Sequence, residues 1–562
     1  RRDRVHSHLE ARFYEVAAPR QAEMPSGDSL WSDLPELLDS LELPQVRETL
    51  RARLAAGGFT DFPAAMNALT LPMRGNEFGE MPPDTPIEFK TIASRLLTLA
   101  SASANPDAAL AGVEAIALAV PNRAQLYASF DDSPEAMERL IQLSAGSPPL
   151  LRLLARHLEW MEATLSPDNS PLETADLSEA EARALVGEGL TQRLQGAKGH
   201  EAKIEVLSRY YQREVLRIGT EELCGIGDNL QANAALTRLA EVTLQTLLDF
   251  CSEPLIANHA EPEFAAQILK RVAVVGLGKL GGAELSYGSD WDVLFTYTDL
   301  PEEQREPQHS EGFTLVNGLV ERVIAAAAAL MTRNAHIEID LKLRPWGRKG
   351  ALILAPSGFA DYYRQHAETW ERQAAVKARV VAGNPDVGLS LIAIMQAGSF
   401  GHGLSSNEDA AVQAMKRRIE TERLRANERT RDIKLGYGGL TDIEWLAQRL
   451  QLLHGDSHPS LRVPGTIPVL AAVQQESLLP AAEGERLIHA YRRLTRLRNI
   501  MWLQAGSSQD VLPADASRRR ILARLLDVAD ETLFDTEIQE TMAHVRKLFN
   551  AYFYRNGPEI AT

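Results

Sequence analysis

The chain has 562 residues, with 59 Lys and Arg against 76 Asp and Glu, for a net charge of −17. That length accommodates about three or four domains and a large core, and the negative balance opposes wrapping a nucleic acid over a wide surface. Two cysteines, Cys224 and Cys251, exclude a disulfide framework or a thiolate metal site and fit a reducing cytoplasm.

No continuous apolar run reaches the ~18 residues of a membrane span, so no membrane association is expected. The charged stretch after Arg1 does not resemble a signal peptide, and the absent initiator Met suggests a fragment or a processed chain. From Leu34 to Ala257 the pattern is helical, with apolar residues three and four apart, as at Leu236, Leu239, Val242 and Leu247. Ser133-Pro134-Glu135 reads as a cap followed by proline at the first helical position, and Ser178 with Glu181 has capping-box spacing. Pro106, Pro121 and Pro148-Pro149 mark connections, so residues 26–264 are expected to form an N-terminal helical domain.

The pattern changes at Val272-Ala273-Val274-Val275, a β-branched run ending in glycines. Further strands are expected over Trp291 to Tyr297, over Ile337 to Leu343 with strict alternation, and weakly over Ala351 to Leu354. An apolar helix, roughly Glu311 to Thr332, separates the second from the third. Together these predict one small α/β domain at 265–385. After Asn384-Pro385 helices resume, at Glu408 to Asn427, Ile443 to His454 and Ala481 to Trp502, giving a C-terminal helical domain at 386–562. The loop Gly436-Tyr437-Gly438-Gly439 predicts a tight turn or a close contact with the α/β unit. The expected fold class is therefore mostly α with one α/β domain flanked by two helical domains.

The chemistry concentrates between Val272 and Tyr297. Gly276-Leu277-Gly278-Lys279-Leu280-Gly281 matches GxGxxG after a strand, and Asp299 stands where a ribose-binding acid of a dinucleotide site would. Gly282 to Ser289 is too short, however, for the crossover of at least ~10 residues that a parallel pair needs. The second reading makes the glycines a phosphate-approach loop and places Asp290 and Asp292 on one face of the next strand. Glu338, Asp340 and Lys342 then share a face of the third strand, so Asp340 can complete a three-acid cluster. Such a cluster calls for divalent cations, and oxygen ligands suit Mg2+. Two metals there would activate an attacking oxygen and stabilise departing pyrophosphate. Lys279, Lys342, Arg344 and Arg348 add positive charge for a triphosphate, although each also reads as an ion-paired surface residue. The bland reading of the Asp290/Asp292 pair is a solvated strand start.

These residues closely resemble the glutamine synthetase adenylyltransferase family. The likeness runs through GLGKLGGAELSYGSDWDVLFTY, IEIDLKLRPWG from Ile337 to Gly347, FADYYRQHAETWERQAAVKARVVAG from Phe359 to Gly383, and DIKLGYGGLTDIEW from Asp432 to Trp445. Upstream, Ser208 to Gly225 is similar to the family's helical lead-in. Trp291, Lys342 and Trp346 depart from the usual pattern.

The resemblance implies a polymerase-beta-like nucleotidyltransferase fold that transfers AMP from ATP to a tyrosine hydroxyl of glutamine synthetase. Asp290 and Asp292 would hold two Mg2+ ions, or Mn2+. Asp340 would hold the one nearest the phenol and help its deprotonation. Gly281, Gly282 and Ser289 would approach the phosphates, with Lys279, Lys342 and Arg344 beside them. The family enzyme has two such halves, and Tyr287-Gly288, Glu338 and Thr369 to Ala374 are similar to the transferring one. Residues 1–25 would then be linker. The alternatives are the adenylyl-removing half, or a non-catalytic module docking glutamine synthetase or the PII signal protein; glutamine is implied as an effector. Asp432-Ile433-Lys434 and Asp442-Ile443-Glu444 read as an active-site wall or as an ion-pair network, and Trp370, Glu371 and Arg372 as domain packing. Arg492, Arg493, Arg496 and Arg498 read as a solvated basic helix face or a docking face for an acidic partner. His454 and His458 lack a helix to align them on a metal.

Overall fold

A computed structural model describes residues 30–74, 84–166, 177–298, 310–332 and 337–554. The linker reading of residues 1–25 and the Asp299 of the dinucleotide reading lie outside them. Helices built on three-and-four apolar spacing make up most of the fold, and their starts follow the caps. Pro106, Pro134 and Pro148 each open a helix, and Ser178 with Glu181 forms a complete capping box, the Glu181 carboxylate accepting from Ser178 N at 2.8 Å.

Five helices and one short helical turn set the site. They are α1 (Pro148–Arg156), α2 (His200–Leu223), α3 (Asn229–Ala257), the turn α4 (Gly278–Gly281), α5 (Glu311–Thr332) and α6 (Ala481–Ala505). Helix α3 is the spine. Asp228 caps its first turn, accepting from the backbone N–H of Leu230 and Gln231, and Leu236, Leu239, Val242 and Leu247 are buried along it.

The sheet is small and mixed. Strands β1 (Val272–Gly276), β2 (Trp291–Tyr297), β3 (Ile339–Asp340), β4 (Ile353–Leu354) and β5 (Arg379–Gly383) run in the order β3-β2-β1-β5, with β4 beside β2. β1 pairs antiparallel with both β2 and β5, whereas β3 and β4 pair parallel with β2. The antiparallel β1–β2 pair removes the dinucleotide reading, because a Rossmann unit joins parallel strands. The parallel step from β2 to β3 needs a crossover, and α5 lies between them in the chain. Val316, Leu319, Val320, Val323 and Leu330 of α5 are buried, and α5 packs against α3. Among the described residues α5 is the one helix long and apolar enough to cross a membrane by composition; here it is a core helix with Glu321 and Arg322 on its exposed side.

Two strand expectations need correction. The alternating run Ile337 to Leu343 pairs only at Ile339–Asp340. The Asp340 carboxylate accepts from its own downstream Lys342 N–H at 2.8 Å, an Asx-type turn that pulls the chain off the sheet. A strand with no counterpart in the sequence reading, β5, flanks β1 across a bulge between Val274 and Val275. In the C-terminal helices, Gly438 takes φ +77°, and a Cβ on it would stand 1.7 Å from Met542 O. The glycine loop is thus a tight turn, and its close contact is with the helix Glu531–Phe549 rather than with the α/β unit.

Candidate active site

The β2–β3 register sets the geometry. Asp292 lies directly opposite Asp340, and Trp291 N donates to Glu338 O at 2.8 Å, so two neighbouring parallel strands present carboxylates at the same level of one face. Asp290 sits one residue before β2, exposed at its mouth. Burial, then the charges of Asp340 and Asp290, push the Asp292 carboxyl up to about 6, while Lys342 and Lys434 pull the other way. The three acids therefore share one electrostatic field that is short of positive charge.

Gly278 closes this face from below. It holds φ +53°, and a Cβ there would meet Asp292 Oδ2 at 2.2 Å. Only a glycine lets α4 start this close to the carboxylate. Gly281 serves a different contact, since its Cβ would stand 2.1 Å from Lys377 O, so its backbone packs against the approach to β5. Gly282 is buried against the Glu284 side chain. The Ser289 hydroxyl is buried with no hydrogen-bond partner.

The cations distribute unevenly. Lys342 pairs with Asp340 at 2.5 Å. Lys279 donates to Ser286 Oγ at 3.3 Å, and burial, together with the charge of Arg498, lowers its ammonium to about 8. Arg344 is spent on its own loop, donating to the carbonyls of Leu341, Arg348 and Gly350. Arg348 lies exposed on the same loop.

The sequence reading gave no role to five residues that carry α4. Lys377 and Glu284 form a buried ion pair, and Thr466 Oγ1 donates to Glu284 at 2.9 Å, so the segment after α4 is tied to the C-terminal helices. Arg379 donates to Leu280 O at 2.9 Å and to Gly281 O at 3.0 Å, satisfying the open carbonyls of α4. Glu241, buried in α3, pairs with Arg379. A basic residue at a strand start gives no sequence signal for such a role.

The two candidate wall motifs divide by residue. Asp432 accepts from the backbone of Lys434 and Leu435 and shapes its own turn. Asp442 is fully buried against Lys416 at 2.6 Å and Arg546 at 3.0 Å. Lys434 and Glu444 face the site: Lys434 acts on Asp292 and Lys279, and Lys377, Lys279 and Lys434 offset the burial of Glu444 and hold its carboxyl below the usual range. Arg372 bonds the carbonyls of Gly398, Ser399 and Gly403, a packing role. Of the four arginines read as a solvated or docking face on α6, Arg492 is exposed, whereas Arg493 pairs with Glu537, Arg496 with Asp527 and Arg498 with Asp510.

Among the described residues no three His, Cys, Asp or Glu side chains already form a metal cage; Lys342 holds the Asp340 carboxylate in this arrangement. The donor set is nonetheless all-carboxylate and oxygen-rich, with Asp292 and Asp340 in register and uncompensated charge around Asp292, which suits a hard divalent cation.

Residues 137–393 match the family described as Glutamate-ammonia ligase adenylyltransferase, and residues 413–553 match GlnD PII-uridylyltransferase. Curated relatives bear the name bifunctional glutamine synthetase adenylyltransferase/adenylyl-removing enzyme. That of Thioalkalivibrio sulfidiphilus is 31% identical over 76% of this chain and 43% of its own length. That of Streptomyces avermitilis is 30% identical over 91% and 48%, and that of Mycobacterium tuberculosis 32% identical over 76% and 42%. The chain spans less than half the length of each of these relatives.

Proposed function

As the chain belongs to the glutamate-ammonia ligase adenylyltransferase family, we propose that it transfers AMP from ATP to a tyrosine hydroxyl of glutamine synthetase, releasing pyrophosphate. The observation that carries this reading is the Asp292–Asp340 register above Gly278. The sheet and α4 act as a nucleotidyltransferase fold, with Asp290, Asp292 and Asp340 as the ligands of Mg2+, two ions per site, or of Mn2+. When bound, the metal supplies Lewis-acid stabilisation of charge on the attacking and leaving oxygens.

The remaining work falls to side chains. Asp340, once its pairing with Lys342 opens, accepts the phenolic proton, and the released Lys342 ammonium turns to the triphosphate. Lys279 and Lys434 line the same field, and Ser289 offers its hydroxyl to a phosphate oxygen. Arg344 acts indirectly by holding the 341–350 loop. The likeness of residues 413–553 to a PII-uridylyltransferase supports the C-terminal helices as the place where the PII signal protein docks; glutamine as effector and a cytoplasmic setting belong to the same proposal.

Incubation with glutamine synthetase, Mg2+ and labelled ATP should put label on one tyrosine. Asp292→Asn should lower the rate at least about a hundredfold, and equal labelling by that variant would falsify the assignment. Phosphate-dependent release of ADP from adenylylated synthetase, without forward labelling, would instead assign the adenylyl-removing reaction named in the relatives.

A further inference from the structure

Strand geometry leaves a second concave site on the far side of β2. Trp291 points away from the Asp292 face and meets Tyr211 of α2, ring centroids 6.1 Å apart. Between α1, α2 and the Ser286–Ser289 turn lies a cavity of about 500 Å³. Asp290, Asp292, Asp340 and Lys279 do not line it, and the Ser286–Ser289 turn is what it shares with the reacting face.

The lining has two characters. Toward the sheet it is aromatic and aliphatic, with Tyr211, Trp291, Leu236 and Leu285. On α1, Arg152 and Arg156 sit one helical turn apart on one side, both exposed. Among the described residues neither has a carboxylate partner, although acids outnumber bases in this chain. Arg209 of α2 joins them on the same cavity, held by Glu159, and Glu205 of α2 is the one acid on the lining. Clustered guanidinium groups left unpaired recognise carboxylate or phosphate through paired N–H donors.

The volume falls in the range of roughly 300–1,000 Å³ that small-molecule sites occupy. It is several times what one phosphate ion needs, so the occupant must also bring a body to fill the remaining space. We propose that this cavity is a second ligand site that takes a nucleotide-sized anion, its charged group on Arg152 and Arg156 and its ring or apolar body against Trp291 and Tyr211. The ligand's contact with the Ser286–Ser289 turn, which leads directly into Asp290, makes the site an effector site rather than a substrate site. Gly288 holds this turn in place: at φ +62° it packs so closely on Trp502 that a Cβ would stand 2.5 Å from Nε1.

The binding does not depend on the proposed adenylyl transfer and is tested without turnover. AMP is titrated into the intact chain in EDTA, followed by intrinsic tryptophan fluorescence, with adenosine and inorganic phosphate as separate arms. Saturable AMP binding is expected, at least tenfold weaker in Arg152→Glu/Arg156→Glu and unchanged in Asp290→Asn/Asp292→Asn. Both arginines are exposed, so circular dichroism should show the first variant folded. Amide exchange at residues 286–289 should slow when AMP is present. Absence of AMP binding, its loss in the aspartate variant, or phosphate binding as tightly as AMP would each overturn the proposal.

Discussion

Gly278 shows how one backbone angle decides a site. Its φ of +53° costs an L-residue about 1–2 kcal/mol, and the Cβ of any other residue would collide with the Asp292 carboxylate. Gly278→Ala is therefore expected to lower the urea midpoint modestly and to cut the transfer rate more than tenfold, since the carboxylate must move to admit the methyl group. A stability loss with no change in rate would mean that the contact is packing alone. Lys342 makes a second residue-scale point. The sequence leaves it either as charge for a triphosphate or as an ion-paired residue, and the structure has it neutralising Asp340, so under the proposed reaction the same ammonium exchanges one anion for another. Lys342→Met should raise KM for ATP several-fold; an unchanged KM would remove it from the site.

At the scale of elements, α4 is one turn long and is held from outside. Its carbonyls are bonded by Arg379, and the segment after it is anchored through the buried Glu284–Lys377 pair. Removing one partner of a buried pair leaves an uncompensated charge, at a cost of about 3–5 kcal/mol. Lys377→Met should lose that much stability in urea unfolding, and Lys377→Met/Glu284→Leu should recover most of it; equal losses in both would point to simple cavity formation. The same elements show what local pattern conveys. β1 is apolar, β-branched and ends in a glycine, β2 is a mostly apolar run with aromatic ends, and their limits are legible in the sequence. β3 and β5 are not. Alternation from Ile337 to Leu343 stops being a strand at Asp340 because a side-chain carboxylate competes for the backbone, and Arg379–Gly383 becomes a strand only because β1 has an edge to fill.

Across the whole molecule, Glu222 joins three segments distant in sequence. It lies in α2, accepts from Tyr287 of the Ser286–Ser289 turn at 2.8 Å and from Asn499 of α6 at 3.0 Å, and is buried. Burial raises its carboxyl from 4.5 to about 7, against the opposing hydrogen bonds from Asn499 and Tyr287. The folded state thus holds this proton more tightly than the unfolded chain. Its stabilisation is complete below the unfolded value near 4.5 and is lost as pH rises through about 7. Stability should fall by roughly 3 kcal/mol across that window from this group. Glu222→Gln, a neutral isostere that keeps both hydrogen-bonding positions, should flatten the dependence as measured by urea unfolding from pH 4.5 to 8. An unaltered slope would show that the group is not the source.

The helical periodicity, the capping box at Ser178, the glycine turn after β1 and the spacing of Asp290 and Asp292 are properties of neighbouring residues, and the sequence alone determined them because each depends on interactions within a few positions. What the tertiary structure decided is everything that needs two distant segments at once. Asp340 meets Asp292 through strand register, Glu284 finds Lys377, Arg493, Arg496 and Arg498 of α6 find carboxylates, and α1 with α2 encloses a cavity behind Trp291. Such pairings depend on which surfaces close-pack, and packing is selected by the shape of the entire core rather than by any local run of residues.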